Sequence, residues 1–403
     1  MARDQISNNA AGRSTGSHSD TRRAESMDGF SRRRALGLLA LATLATLTGC
    51  ARQPRIQTEG FLLYGMLTQL SLPDTAPVAI TAALSEAEAI FKREYAVLHP
   101  WQDSPLTRLN AALASGDWTP LDARLRGIIE RGRELEAASG GAFSPAVGAL
   151  VKLWGFHSGQ PNQEREPPPQ AEIDRLMTPP PRMSDLEIDG DRIRCRNTHV
   201  LLDFNAMAEG WAAELAAHRL AELGVTDALI DASGDLLVMG QPDRRPWRVA
   251  IQDPFTEGPL GWLDISGDLA VFTSGSYRKR FTHKGVSYNH IIDPRSGWPF
   301  RFAGSESGIA AGRARRGAAM EGRPPRGVVG ATVIAPDALL ANAATTGLLA
   351  TGLADAPALV QRMGLDRVLL VDEHGDLHAT PTMADALRLA RNDRPLHILQ
   401  HRA

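Results

Sequence analysis

Several short stretches of this sequence combine chemically useful side chains with the small residues that let a ligand approach the backbone. "SGGAFSPAVGALVKLWGF", residues 139 to 156, exposes backbone at Gly140 and Gly141 beside Phe143, and glycine removes the side chain that would block a flat ligand. The same string also reads as a helix C-cap running into a core segment. "LLDFNAMAEGW" sets Asp203, Asn205 and Glu209 where a strand enters a helix. Free backbone N–H groups bind anions at such a place, and Asp or Asn serves equally well there as a cap. In "FTSGSYRKRF" a Ser-Gly turn precedes Arg278, Lys279 and Arg280, which makes either a phosphate cradle or a solvated strand edge. "NHIIDPRSGWPF" puts His290 on a strand before an Asp-Pro turn. A histidine near its ordinary pKa of about 6.5 is a usable base, although a lone histidine on a strand is more often structural. Lastly, "ALLANAATTGLLATG", residues 338 to 352, is an apolar helix-like run that carries Asn342, Thr345 and Thr346 close together. Those groups face solvent, the core or a ligand, and local pattern leaves the choice open.

Other familiar signatures are missing. The sequence holds no nucleoside-triphosphatase glycine loop, no HExxH, no GxSxG and no paired Cys. A net charge of −2 over 403 residues provides no basic surplus for releasing counterions from phosphates, so nucleic acid is excluded as a partner. Hydrophobic content of 43% and charged content of 22% are those of an ordinary globular protein. Cys50 and Cys195 are the only cysteines, too few for a disulfide framework.

The elements that must position these stretches follow from periodicity. "GFLLYGMLTQLSL" is β-like and "ALSEAEAIFKREYAVLHP" helical, ending before Pro100. A helix over roughly 121–138 stops at Ser139-Gly140-Gly141, and a short acidic helix lies between proline-rich loops. "DLEIDGDRIRC" reads as a hairpin around Asp189-Gly190, and "EGWAAELAAHRLAELG" as an amphipathic helix stopped by Gly224. Short β-type runs fill most of 227–300, and the core resumes at "GVVGATVIAP" before the polar-bearing helix and a closing strand. Between them residues 301–330, rich in Gly, Ala and Arg, read as a flexible insertion. Strands that meander without regular strand-helix alternation predict an α+β fold rather than a doubly wound sheet.

The N-terminus reads as a targeting device. Arg32, Arg33 and Arg34 precede an apolar run from Ala35 to Leu47. That run is shorter than the roughly 20 residues a bilayer span needs, and it suits a signal-peptide core. The arginines resemble a twin-arginine export signal, and "LTGC" a bacterial lipobox ending at Cys50. Residues 1–49 are therefore read as a lipoprotein signal peptide and 50–403 as the functional domain. The expected location is the periplasmic or outer face of a bacterial membrane, anchored through lipidated Cys50.

In order and spacing, the candidate stretches together resemble the ApbE family of flavin transferases. "GAFSPAVGALVKLWGF" is similar to the family's "GAFDP…VGPLVxLWGF", and "DFNAMAEGWAAE" to "DL…AKGYAxD" or "EGYAAD". "SGSYRKRF…YNHIIDPRSGWP" resembles "SGDYxRxF…YSHIIDPRTGxP". The likeness spans about residues 60 to 380, apart from the insertion. It implies an α+β fold of mixed sheets and helices with FAD in a central cleft. It further implies transfer of FMN from FAD to a Thr or Ser hydroxyl of a client flavoprotein, aided by Mg²⁺ and releasing AMP. The client expected is a subunit of a membrane electron-transfer complex.

By motif match, Ala142, Phe143, Ser144 and Trp101 line the flavin site. Asp203 and Glu209 meet the nucleotide, Ile292 contacts it, and His290 is the base. The Ala206 carbonyl, Asn342 and Thr346 hold the ion. Three departures stand out: Asn342 replaces an aspartate, Thr345 a second one found in some members, and Ser144 a usual aspartate. The glycines expected around Asn205 and Ser233 are partly lost. Because Mg²⁺ favours carboxylates, the loss at position 342 weakens the metal site unless FAD phosphates supply charge. Two other activities fit the same motifs: a non-catalytic FAD-binding lipoprotein assisting assembly of a respiratory enzyme, and an FAD pyrophosphatase.

Overall fold

The computed structural model describes residues 55–63, 65–157, 164–275, 279–303 and 327–400. The signal-like segment, Cys50, Arg278 and most of the Arg-rich insertion lie outside these. The main sheet holds nine strands in the order β1 (Ile56–Leu63), β2 (Met66–Pro73), β6 (Ala228–Ala232), β7 (Asp235–Met239), β10 (Leu269–Gly275), β14 (Val328–Ala335), β15 (Arg367–Asp372), β16 (Leu377–Ala379) and β18 (Leu396–Ile398). Every neighbouring pair is antiparallel except β16 with β18. Smaller sheets are built from β3 (Thr119–Pro120), β4 (Leu186–Asp189) and β5 (Arg192–Cys195); from β8 (Trp247–Gln252), β9 (Pro259–Ile265) and β17 (Arg388–Leu389); and from β11 (Arg280–His283), β12 (Val286–Ile292) and β13 (Pro299–Ala303). This is the α+β arrangement the meandering strand pattern predicts. The insertion is narrower than its composition suggests: residues 299–303 and 328–335 are strand, because both ends pair into sheets.

Both faces of the main sheet are covered, which explains why β14 is apolar without alternation. All eight of its residues are buried. Ala331, Val333 and Ala335 enter a core shared with the helices, while Val329 and Ile334 pack on the other face with Trp247, Val249 and Leu263. The helical layer is α1 (Ile80–Leu98), α2 (Pro105–Leu113), α3 (Ala123–Ala138), α4 (Gly148–Leu153), α5 (Gln170–Leu176), α6 (Asn205–Glu222), α7 (Ala338–Thr351), α8 (Ala356–Arg362) and α9 (Pro381–Ala386).

The polar-bearing helix, α7, is the most deeply set, with 11 of its 14 residues buried. Its first turn is locked by carboxylates, as a helix N-terminus favours. Asp337 Oδ1 accepts from the Leu340 N–H at 2.7 Å, and Glu214 Oε1 on α6 accepts from the Ala338 N–H at 2.8 Å. Arg131 pairs with Asp337 and ties α3 to the same point. At Gly210 of α6 an added Cβ would sit 3.5 Å from the Ala338 backbone, so the two helices cross closely. Gly210 and Glu214 of α6 thus both meet α7 at Ala338, and Ala206 lies one turn before Gly210 on α6.

A second device sets the strand-to-helix entry before α6. Asp203 N–H donates to the Pro145 carbonyl at 2.8 Å and Gly148 N–H to the Leu201 carbonyl at 2.8 Å. A Cβ at Gly148 would come within 2.6 Å of that carbonyl, so only glycine allows the approach. Asn110 of α2 clamps the same segment: its Nδ2 donates to the Leu202 carbonyl and its Oδ1 accepts from the Leu202 N–H, both at 2.8 Å. Residue 110 is 93% buried, so removing the amide strands two backbone groups away from water. Each stranded group costs about 1–3 kcal/mol. Asn110→Ala should therefore lower the unfolding free energy by about 2–4 kcal/mol in denaturant titration. A loss below about 0.5 kcal/mol would mean that water takes over the clamp.

Candidate active site

The glycine turn after α3, the entry to α6, the start of β11, the bulged part of β12 and the middle of α7 converge. The turn at Gly140 and Gly141 has φ of +62° and +79°, backbone that favours glycine. Ser139 fastens it: its Oγ accepts from the Phe143 N–H at 3.1 Å and donates to the Glu136 carbonyl at 2.9 Å. Ala142 and Phe143 point their side chains into the core, and the Ser144 hydroxyl accepts from the Ala146 N–H at 3.2 Å. The side chains of this turn are thus spent on packing, and of residues 140–144 only Gly140 is exposed, with Arg362 beside it. Beneath it the Glu136 carboxyl, raised in pKa by burial, accepts from the Met183 N–H at 2.9 Å. The turn rests against α7, since a Cβ at Gly347 would stand 3.7 Å from that of Ala142.

On α7 the three polar residues divide by role. Thr345 is fully buried and satisfied: its hydroxyl accepts from Ser274 Oγ of β10 and donates to the Asn342 carbonyl, both at 2.9 Å. It is a core contact between helix and sheet. Asn342 and Thr346 stand four residues apart on one helix face. Asn342 is 94% buried and Thr346 half-buried, yet neither side chain hydrogen-bonds any described residue. These donors are neutral oxygens, and no cluster of three His, Cys, Asp or Glu suited to a metal exists among the described residues.

His290 is half-buried on β12. Its backbone N–H donates to the Lys279 carbonyl at 3.1 Å, and its Nδ1 lies 3.2 Å from the same oxygen. A carbonyl only accepts, so Nδ1 carries the proton and Nε2 keeps its lone pair. Part of the ring is open, but protein encloses the rest, and this desolvation together with the Lys279 ammonium lowers its pKa to about 4. Asp203 is also half-buried and enclosed on its other sides. Burial raises its carboxyl to about 6, against the lowering effects of the Asn205 N–H at 2.9 Å and again the Lys279 charge. One ammonium thus acts on both groups. Sequence reasoning met Lys279 only as one of three basic residues in a possible phosphate cradle, and it missed the Asn110 clamp, because an asparagine in a helix carries no periodic signal.

The remaining sequence-derived residues are less closely gathered. Glu209, one turn into α6, borders a small pocket with Tyr95 and Ser233 under the β1–β2 hairpin. Trp101 lies on the loop between α1 and α2 with its ring 5.4 Å from that of His157. Ile292 is 94% buried among Trp154, Phe281 and Tyr288, so its side chain packs the sheet and only its backbone is left for a ligand.

Asp203 makes the site costly for the free protein. Its folded pKa lies above the unfolded value, so its contribution to stability is fully present below the unfolded pKa and lost as pH rises through about 6. Asp203→Asn keeps the acceptor for the Asn205 N–H and removes the buried charge. The variant should melt higher than wild type above pH 6, with the gain vanishing below about pH 4. An equal gain at every pH would sink this account of the carboxylate.

Comparison with known proteins identifies the family. Residues 65–311 match the ApbE family. The chain is 33% identical over 383 residues to an FAD:protein FMN transferase of Rhodobacter capsulatus, covering 95% of this chain and 67% of that protein. It is 30% identical to the FAD:protein FMN transferase of Escherichia coli K12, covering 69% of this chain and 73% of that one. The apo structure of Pseudomonas stutzeri flavinyl transferase ApbE superposes with a TM-score of 0.68 at 28% identity, over 84% of this chain and 98% of its own. A Thermotoga maritima ApbE structure with the same TM-score, at 22% identity, shares the fold. With a family match over most of the chain and these conserved lengths of similarity, the chain belongs to the ApbE family.

Proposed function

We propose that the protein transfers FMN from FAD to a client protein, as its relatives' names describe, with a client hydroxyl as the acceptor. The observation that carries this reading is the His290 ring, held by one carbonyl so that a neutral Nε2 lone pair is available beside Asp203 and the Lys279 ammonium. The client Thr or Ser oxygen attacks the phosphorus on the FMN side of the FAD pyrophosphate. A new P–O bond forms, the P–O bond to the AMP phosphate breaks, and AMP leaves with that electron pair. His290 Nε2 takes the hydroxyl proton. Lys279 and the backbone N–H groups at the α6 entry offset charge on the phosphate oxygens. In this reading the flat flavin is seated against the turn at Gly140, the exposed residue of the stretch 140–144.

Mg²⁺ fits the unsatisfied oxygens of Asn342 and Thr346 with the Ala206 carbonyl, and when bound it supplies positive charge at the pyrophosphate. With no carboxylate among these ligands, the phosphates must contribute charge, so metal and FAD binding depend on each other. Asn342→Asp should strengthen Mg²⁺ binding in calorimetric titration without FAD by roughly tenfold, a single added charge–charge contact of about 1.4 kcal/mol. Unchanged affinity would show that position 342 does not face the ion.

The direct test mixes the protein with FAD, Mg²⁺ and a client domain. Covalent FMN on the client with an equal amount of AMP supports transfer. FAD bound tightly without turnover favours a flavin-holding lipoprotein, and free FMN with AMP favours a pyrophosphatase. His290→Ala should slow transfer by about 10²–10⁴-fold with FAD affinity nearly intact. In the wild type the ring is neutral above its folded pKa, so the acid limb of kcat/KM should fall through about pH 4 rather than 6.5.

The export signal and lipobox-like Cys50 support action at the outer face of a bacterial membrane, on a flavoprotein subunit of an electron-transfer complex there. In this reading the acyl chains on Cys50 are the anchor; no helix among the described residues is long and apolar enough to cross a membrane.

A further inference from the structure

We propose that Asn289 is a positioning residue for His290, its side-chain carbonyl building the bulge that folds the histidine ring back onto the Lys279 carbonyl. Strands β12 and β13 pair at Tyr288↔Arg301 and again at Ile292↔Pro299. Residues 289, 290 and 291 therefore oppose Phe300 alone, and the hydrogen-bond ladder on that side is broken. The other side stays regular, with Asn289↔Arg280 in register. A bulge leaves backbone groups without partners, and here the Ile291 N–H is taken up by Asn289 Oδ1 at 2.7 Å.

The geometry of His290 needs this kink. In a regular strand a side chain stands roughly perpendicular to the sheet, away from the in-plane carbonyl that its own N–H engages. His290 does both, since its N–H and its Nδ1 share the Lys279 oxygen. Asn289 is also costly in a way that packing does not explain. It is fully buried, and its Nδ2 has no hydrogen-bond partner. A Leu or Val would fill the site without an orphaned donor, so the amide's contribution is its oxygen.

The catalytic part of this inference rests on the FMN-transfer reading; the ring geometry does not. The test compares wild type, Asn289→Ala and Asn289→Ser by two readouts. The first is the long-range ¹⁵N–¹H spectrum of histidine-labelled protein, with His290 assigned from His290→Gln. The second is transfer kinetics. Wild type should show one neutral tautomer with the proton on Nδ1. Asn289→Ala should give a tautomer mixture and a kcat lowered about 100-fold, with KM for FAD within about twofold. Asn289→Ser keeps an oxygen within reach of the Ile291 N–H and should restore both the tautomer and kcat to within about threefold of wild type.

Wild-type tautomer and kcat in Asn289→Ala would overturn the proposal. So would equal loss of FAD affinity and melting temperature in both variants, which marks a merely structural residue. If the alanine variant does not fold, Asn289→Ser decides by itself: Nδ1–H and near-normal kcat support the proposal, and loss of either overturns it. A wild type that transfers nothing refutes the functional reading, and the spectrum alone then judges Asn289.

Discussion

Everything around the site depends on α7 having almost no solvent face. Packed between a sheet covered on both sides and the helices α3 and α6, it must account for every polar group it carries. Thr345 does so through Ser274 and its own helix. Asn342 and Thr346 do not, although apolar residues would have served the packing. Neither Asn342 nor Thr346 is among the buried polar atoms sealed from water without a partner, so this helix face borders space that solvent or a ligand can enter. The carboxylate grip of Asp337 and Glu214 on the first turn then fixes where that face points, by holding the helix along its axis.

The site itself is economical in charge. Lys279 contributes twice, through a carbonyl that selects the His290 tautomer and an ammonium that acts on both His290 and Asp203. Asp203 is held ready but strained electrostatically, which a stable resting protein does not need and a nucleotide-binding one does. In the proposed mechanism an ion held at Asn342 would have only neutral oxygen ligands from the protein, so the pyrophosphate of the substrate would have to supply the charge that completes its site.

Much of the fold was legible because periodicity and capping are local. The Asp189-Gly190 hairpin, the helix over 123–138 and its stop at Ser139, and the polar-bearing α7 all form where pattern predicts. Long-range devices were not. Asn110 binds a backbone segment 92 residues away, and nothing near Asn110 announces it. The β12 bulge depends on pairing with β13, which local pattern does not encode. Arg-rich composition overstated the insertion, since its flanks are claimed by sheets. Motif likeness picked out His290, Asp203 and Thr346 as a group, and the Lys279 charge acts on the first two. It also grouped Ile292 and Phe143, whose side chains are spent on packing.

The central claim is that the unsatisfied face of α7 meets a pyrophosphate-bound cation. A crystal grown with FAD and Mn²⁺, read by anomalous scattering, tests it most directly. The account predicts one strong peak at about 2–2.3 Å from both Asn342 Oδ1 and Thr346 Oγ1, with the Ala206 carbonyl and FAD phosphate oxygens completing the shell. A peak elsewhere, with the Asn342 amide turned to protein or water while FAD is bound, would contradict it.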